Sequence, residues 1–307
     1  MKISGVIYPK FKPKDRDSVE YKNLESIEKS AMSKSDEAIR IEFEDLVYLF
    51  LVSAEADMRF TRLKKEFENL TDKIITYTHV ESVEKLFRLI CGLDIEPIGS
   101  DRWYKLFESE MDSAREAGRI GPIFSKMHRA LVRVMKRAIG STGIRDGAVD
   151  SISASADLAN KIFGELDDTS VAIYASPSFR NRVREVFEKR GVLSMNSISE
   201  LNLKELYDKG TDILIIGDRQ DDLAGLGGDN IANELSTRDS PFLILDFGER
   251  PVSIPSQNEI STLYYTHSAS FGEVISRNLR MRKDSVKEVE KLIEPELKKF
   301  IEWTGSD

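Results

Sequence analysis

Few residues in this 307-residue chain could do chemistry, and they are unevenly placed. There is one cysteine, Cys91, which excludes an internal disulfide and a Cys-rich metal site. The three histidines, His79, His128 and His267, are too few for a His-rich zinc centre, so no metal is expected. From Ala117 to Arg145 there is no Asp or Glu, yet the segment holds Arg119, Lys126, Arg129, Arg133, Lys136, Arg137 and Arg145. On a helix Arg129, Arg133, Lys136 and Arg137 share one side. In a chain of net charge −8 such a stripe either holds a phosphate backbone or is simply solvated. Glycine is dense only at Gly225-Leu226-Gly227-Gly228, which reads as a surface loop or a phosphate cradle.

These groups need elements to position them. The first ~145 residues read as mixed α and β. Strands are expected at Ile3 to Tyr8, Ile39 to Phe43 and Leu46 to Val52, the last a continuous apolar run typical of a buried strand. Helical spacing follows from about residue 81, then over 101–117, and from Pro122 to about Ile139. A further helix is expected over 149–166. Short apolar strands then alternate with helices: Val171 to Ala175, Gly191 to Met195, Asp212 to Ile216 and Phe242 to Asp246, which indicates a parallel sheet covered on both faces. Residues 268 to 303 form one long helical pattern that Pro295 should interrupt.

In that second half, the turn Ala175-Ser176-Pro177-Ser178-Phe179 follows the first strand. A dinucleotide site there needs glycines for the tight turn and the close approach of pyrophosphate. This turn has none, and Pro177 removes a backbone N–H from the helix start. Ser176 and Ser178 could still cap the helix or touch an anion. No apolar run approaches the ~20 residues of a membrane span, so a soluble cytoplasmic protein is expected.

Several segments together resemble glutamyl-tRNA reductase, the NADPH-dependent first enzyme of the five-carbon route to tetrapyrroles. They are Val83-Glu-Lys-Leu-Phe-Arg-Leu-Ile-Cys-Gly-Leu-Asp94, Ala114 to Pro122, Arg129 to Ile144, Ser151 to Gly164 leading into Val171, Phe242 to Asp246 with Pro251, and Glu296 to Trp303. The resemblance extends from about residue 79 to 303. It implies an α+β N-terminal domain over 1–148, a Rossmann-like parallel-sheet domain over 149–267, and a long connecting helix over 268–307. It also implies that the family's dimerisation domain is absent, and an oligomer through the C-terminal helix is one expectation.

In the family a cysteine thiolate attacks glutamyl-tRNA and NADPH then delivers hydride. By the resemblance, the nucleophile position falls on Glu55 and that of the substrate-binding arginine on Asp57. The motif histidine becomes Lys85, a serine becomes Ile95, and Gly-Glu-Pro-Gln becomes Gly99-Ser100-Asp101-Arg102. NADPH would lie against Ala175, Ser176, Pro177, Ser178, Phe179, Asn196 and Gly217, and tRNA against Arg129, Arg133, Lys136 and Arg137. Cys91 reads as a buried structural thiol, Lys85 as a helix-surface lysine and His79 as a helix-entry residue. Changed together, these positions imply a non-catalytic or regulatory relative serving heme or siroheme synthesis, with tRNA or a pathway enzyme as partner. A divergent NADPH-dependent reductase, or another NAD(P) oxidoreductase, is the alternative, and a plain scaffold the third reading.

Overall fold

The computed structural model describes the chain except residues 11–17, 55–60, 62, 63, 66, 67, 69–73, 219–237, 253–259, 306 and 307. Glu55, Asp57 and the Gly225 to Gly228 cluster therefore lie outside the described residues. The chain divides into two compact units, Met1–Asp146 with Met281–Asp307, and Gly147–Arg280.

The first unit is built on a four-stranded antiparallel sheet of order β2-β3-β1-β4, with β1 Lys2–Pro9, β2 Glu37–Phe43, β3 Leu46–Ser53 and β4 Ile75–Tyr77. The apolar run of β3 is buried on both faces. On one, Tyr48, Phe50 and Val52 join a core with helices α2 (His79–Ile90), α3 (Arg102–Glu116) and α4 (Pro122–Ser141). On the other, Val47, Leu49 and Leu51 pack against Leu24 and Ala31 of α1, Val19–Ser33. Trp103 and Phe107 stack with ring centroids 5.4 Å apart.

Helix α4 begins with Pro122 and has no capping side chain of its own at Gly121. Its acid-free sequence offers no carboxylate nearby. The cap comes instead from the edge strand β2: buried Glu37 accepts from Ile123 N and Phe124 N, each at 2.8 Å. A negative charge is well placed against these unpaired N–H groups. A Cβ at Gly121 would lie 2.7 Å from Glu37 Oε1, so glycine is required for the approach. One residue further along β2, Ala38 N donates to Arg119 O at 2.9 Å.

The second unit is a five-stranded, all-parallel sheet of order β6-β5-β7-β8-β9, with β5 Ser170–Tyr174, β6 Ser194–Ser197, β7 Ile213–Ile216, β8 Phe242–Asp246 and β9 Leu263–His267. Alternate residues of β5, β7 and β8 face α5 (Ser151–Phe163) and α6 (Pro177–Glu188) on one side, and α7 (Leu203–Asp208) on the other. The second strand starts later than its apolar residues suggest. After α6, Gly191 takes φ +98° and Val192 N donates back to Phe187 O at 3.1 Å, so Val192 closes the helix instead of opening the strand.

Helix α8, Gly272–Thr304, continues through Pro295, where an interruption was expected. A proline loses its own N–H bond and crowds the carbonyl four residues back, but Ile293 and Phe300 on either side are both buried in the first unit's core and hold the helix in place. Near the middle of α8, buried Arg282 donates to Ile98 O, Arg145 O and Asp146 O at 3.0, 2.9 and 3.1 Å.

Replacing Glu37 with Ala strands two buried N–H groups, and a loss of about 2–4 kcal/mol is expected in urea unfolding. Glu37→Gln keeps one acceptor and should lose about half as much.

Candidate functional site

Of the residues that the sequence offers for catalysis, helix α2 carries His79 and Lys85. Its start is fixed by Glu81, whose Oε2 accepts from Thr78 N at 2.7 Å. His79, its first residue, is buried. Its Nδ1 accepts from Ile3 N at 2.8 Å, so the ring proton sits on Nε2. Nε2 donates to Thr304 Oγ1 at 2.9 Å, and the Thr304 hydroxyl donates in turn to Ile301 O at 2.8 Å. Burial, with help from the N-terminal ammonium and Lys2, lowers the His79 pKa. The imidazole is thus neutral and fully bonded, a structural latch between β1 and the end of α8.

Lys85 is a partner of the chain itself. Its Nζ lies 2.6 Å from Asp94 Oδ2, while Arg88 Nε bonds the other Asp94 oxygen at 3.0 Å. Burial favours protonated Asp94, but these two cations outweigh it and hold its pKa below the usual carboxylate range. Ile95 is a core residue. Asp101 stands at the N-cap of α3 with an ion pair to Lys105 at 2.9 Å.

Cys91 follows α2 as its C-cap and is 2% exposed. Burial pushes its pKa up to about 12, and the nearby Arg145 guanidinium pulls down only weakly. The chain's one thiol is therefore protonated near neutrality and shielded from substrate, the opposite of a nucleophilic cysteine.

On α4, Arg129, Arg133, Lys136 and Arg137 are all exposed. They are not equivalent. Arg133 Nη2 bonds Glu296 Oε2 at 2.9 Å, and this bond, before Lys299's, keeps the Glu296 pKa low. Lys126 lies over the Trp303 ring, 3.7 Å from its centroid. His128 pairs with Glu108 at 2.7 Å, and His267 contacts Gly248 O at 3.0 Å.

In the second unit the strand order reverses between β5 and β7, the place where open parallel sheets form a crevice at their carboxyl ends. Ala175 is buried there, Ser176 is the N-cap of α6, and Pro177 is its first residue. Ser176 Oγ accepts from Phe179 N at 3.4 Å and lies 3.2 Å from Ser178 Oγ. Phe179 packs on Phe247 with centroids 5.2 Å apart. At the end of β7, a Cβ on Gly217 would sit 2.4 Å from Ala175 Cβ. The next residue, Asp218, accepts from Ser176 N at 2.9 Å and from Ser176 Oγ at 2.6 Å. Asn196 lies exposed on edge strand β6, opposite Ala172. Sequence reasoning missed Asp218, Glu37 and Arg282. The local signal for Asp218 was a charge placed just after a strand-ending glycine.

Among the described residues, no cluster of three or more His, Cys, Asp or Glu could hold a metal ion, and no helix is long and apolar enough to cross a membrane.

An antiparallel-sheet unit, a doubly wound parallel-sheet unit and a long C-terminal helix define a two-unit α/β protein of Rossmann-like type. The glutamyl-tRNA reductase from Methanopyrus kandleri has this fold, with a TM-score of 0.76 at 20% identity over 99% of this chain and 80% of that one. No family model matches the chain. In sequence it is similar to the glutamyl-tRNA reductases of Sulfurihydrogenibium sp. (strain YO3AOP1), 24% identical over 261 residues, and Bacillus subtilis (strain 168), 25% over 258 residues. These matches cover 77% and 78% of this chain, but only 58% and 56% of the relatives. That of Methanococcoides burtonii is 26% identical over 270 residues, covering 82% of this chain and 64% of its own length. The chain is a divergent relative of the glutamyl-tRNA reductases.

Because His79 is held neutral when folded, the unfolded chain binds more protons just below its ordinary pKa of about 6.5. Stability should therefore fall as pH drops from 7.5 to about 5.5. His79→Gln, which can accept from Ile3 N and donate to Thr304, should flatten that part of the profile in urea titrations at each pH.

Proposed function

We propose that this chain serves tetrapyrrole biosynthesis as a glutamyl-tRNA-reductase-like protein that does not itself carry out the reduction. The observation that carries this reading is Cys91. The family's reaction needs a thiolate, and the single thiol here is buried with its pKa raised. Glu55, at the nucleophile position by resemblance, is a carboxylate, and its acyl product would be an anhydride instead of a thioester. Lys85 is engaged with Asp94.

In this reading the chain still binds tRNA, through α4. Arg129, Lys136 and Arg137 point a row of charge into solvent, and no acidic side chain occurs along the helix. A row of cations without interleaved carboxylates releases counterions from a phosphate backbone efficiently. Arg133 contributes less because Glu296 shares its charge. Bound tRNA without turnover would let the protein regulate the supply of glutamyl-tRNA to the pathway. NADPH, the family's hydride donor, enters no step of this reading.

Incubated with glutamyl-tRNA and NADPH, the chain should oxidise no NADPH, while the Bacillus subtilis reductase run in parallel does. Turnover by this chain would overturn the reading. In a filter-binding assay with tRNA, the triple change Arg129→Ala, Lys136→Ala, Arg137→Ala should weaken binding roughly tenfold and lower the salt-dependence slope by about 2–3. Arg133→Ala alone should do much less.

A further inference from the structure

A chain without a catalytic thiol could still bind a dinucleotide, so the β5–α6 turn poses a separate question. A pyrophosphate in such a crevice bonds the N–H groups at the helix start and lies close to a glycine turn. Two of the N–H groups of this turn are already engaged. That of Ser176 goes to Asp218 Oδ1, that of Phe179 goes to Ser176 Oγ, and Pro177 has none. The second Asp218 oxygen takes the Ser176 hydroxyl at 2.6 Å. The space is filled as well. Ala175 replaces a glycine, and its methyl group sits against Gly217 so closely that any side chain there would collide with it. Phe179 closes the same corner against Phe247. The residues present do not fit a dinucleotide's pyrophosphate.

From this geometry we infer that Asp218 acts as a built-in stand-in for phosphate: it seats a carboxylate on the start of α6 and closes the crevice to dinucleotides. The favourable field of the helix N-terminus is spent on a covalently tethered anion, which a free phosphate must displace. An incoming pyrophosphate would also meet like charge. Asp218 is exposed, and its removal frees Ser176 N and the Ser176 hydroxyl at the helix start.

The test is a titration of the full chain with NADPH, followed by NADPH fluorescence, beside thermal unfolding in about 50 mM phosphate or in chloride of equal ionic strength. The wild-type chain should show no saturable NADPH binding up to about 1 mM and the same Tm in both salts. Asp218→Ala and Asp218→Ser, which free Ser176 N, should each gain roughly 2 °C or more in phosphate over chloride. Saturable wild-type binding of NADPH, or a wild-type phosphate shift as large as the variants', overturns the inference. So does the absence of a phosphate shift in whichever variant folds. NADPH binding without turnover would sink this inference and leave the proposed function standing; turnover with glutamyl-tRNA would sink the proposed function itself.

Discussion

One buried carboxylate joins the two halves of the first unit. Helix α4 is rich in cations and free of acids, so nothing in its own sequence can satisfy the N–H groups at its start. Glu37 reaches them from the sheet's edge strand, and Gly121 leaves room for it to do so. The cap is long-range: 86 residues separate Glu37 from Ile123. The basic face and the antiparallel sheet are therefore coupled, because the helix that displays the charges is anchored by a charge from the sheet. Arg282 plays the complementary part. Its guanidinium collects three carbonyls from the loops that precede α3 and follow α4, where no regular element pairs them.

The groups on and beside α2 that might have done chemistry share a second property: they are engaged or buried within their own unit, although Arg145 near Cys91 keeps Nε and Nη2 buried without a hydrogen-bond partner. His79 has both ring nitrogens bonded, Lys85 and Arg88 converge on Asp94, and Cys91 is buried as the α2 C-cap. A working site usually leaves donors or acceptors waiting for substrate and shifts pKa values toward the operating pH. Here the one thiol moves away from that range, and the carboxylate of Asp94 is held charged by fixed partners. These are features of a stable scaffold. Beside them, the cations Arg129, Lys136 and Arg137 of α4 are exposed to solvent.

Much of the fold was legible in the sequence, because burial and periodicity are local. The two-sided burial of β3 showed as an unbroken apolar run, and β5, β7 and β8 as short apolar strands between helices. The all-parallel sheet followed from that alternation. Strands β4 and β9 were missed because Ile75 to Tyr77 and Leu263 to His267 are short or only half-buried and carry no clean alternation. Strand β6 was placed too early because Val192 looks like a strand residue and serves as a helix stop. Of the sites, the basic stripe and the missing glycines of the β5–α6 turn were visible as residue types. Asp218 was not, since its role depends on Ser176, 42 positions away, and strand order alone brings the two together. The same holds for Glu37 and Arg282, whose partners lie far along the chain.

The bond from Ala38 to Arg119 has a consequence beyond stability. Strand β2 lies at the edge of its sheet, and an edge strand's outward N–H and C=O groups can template pairing with another chain. The segment that leads into α4 lies along that edge and takes one of its donors, at the very place where Glu37 reaches the helix. Helix cap and edge guard are thus one local structure. A change that lets this segment swing away would uncap a helix and at the same time bare a strand able to recruit a second molecule, so its first symptom in the cell would be insoluble protein.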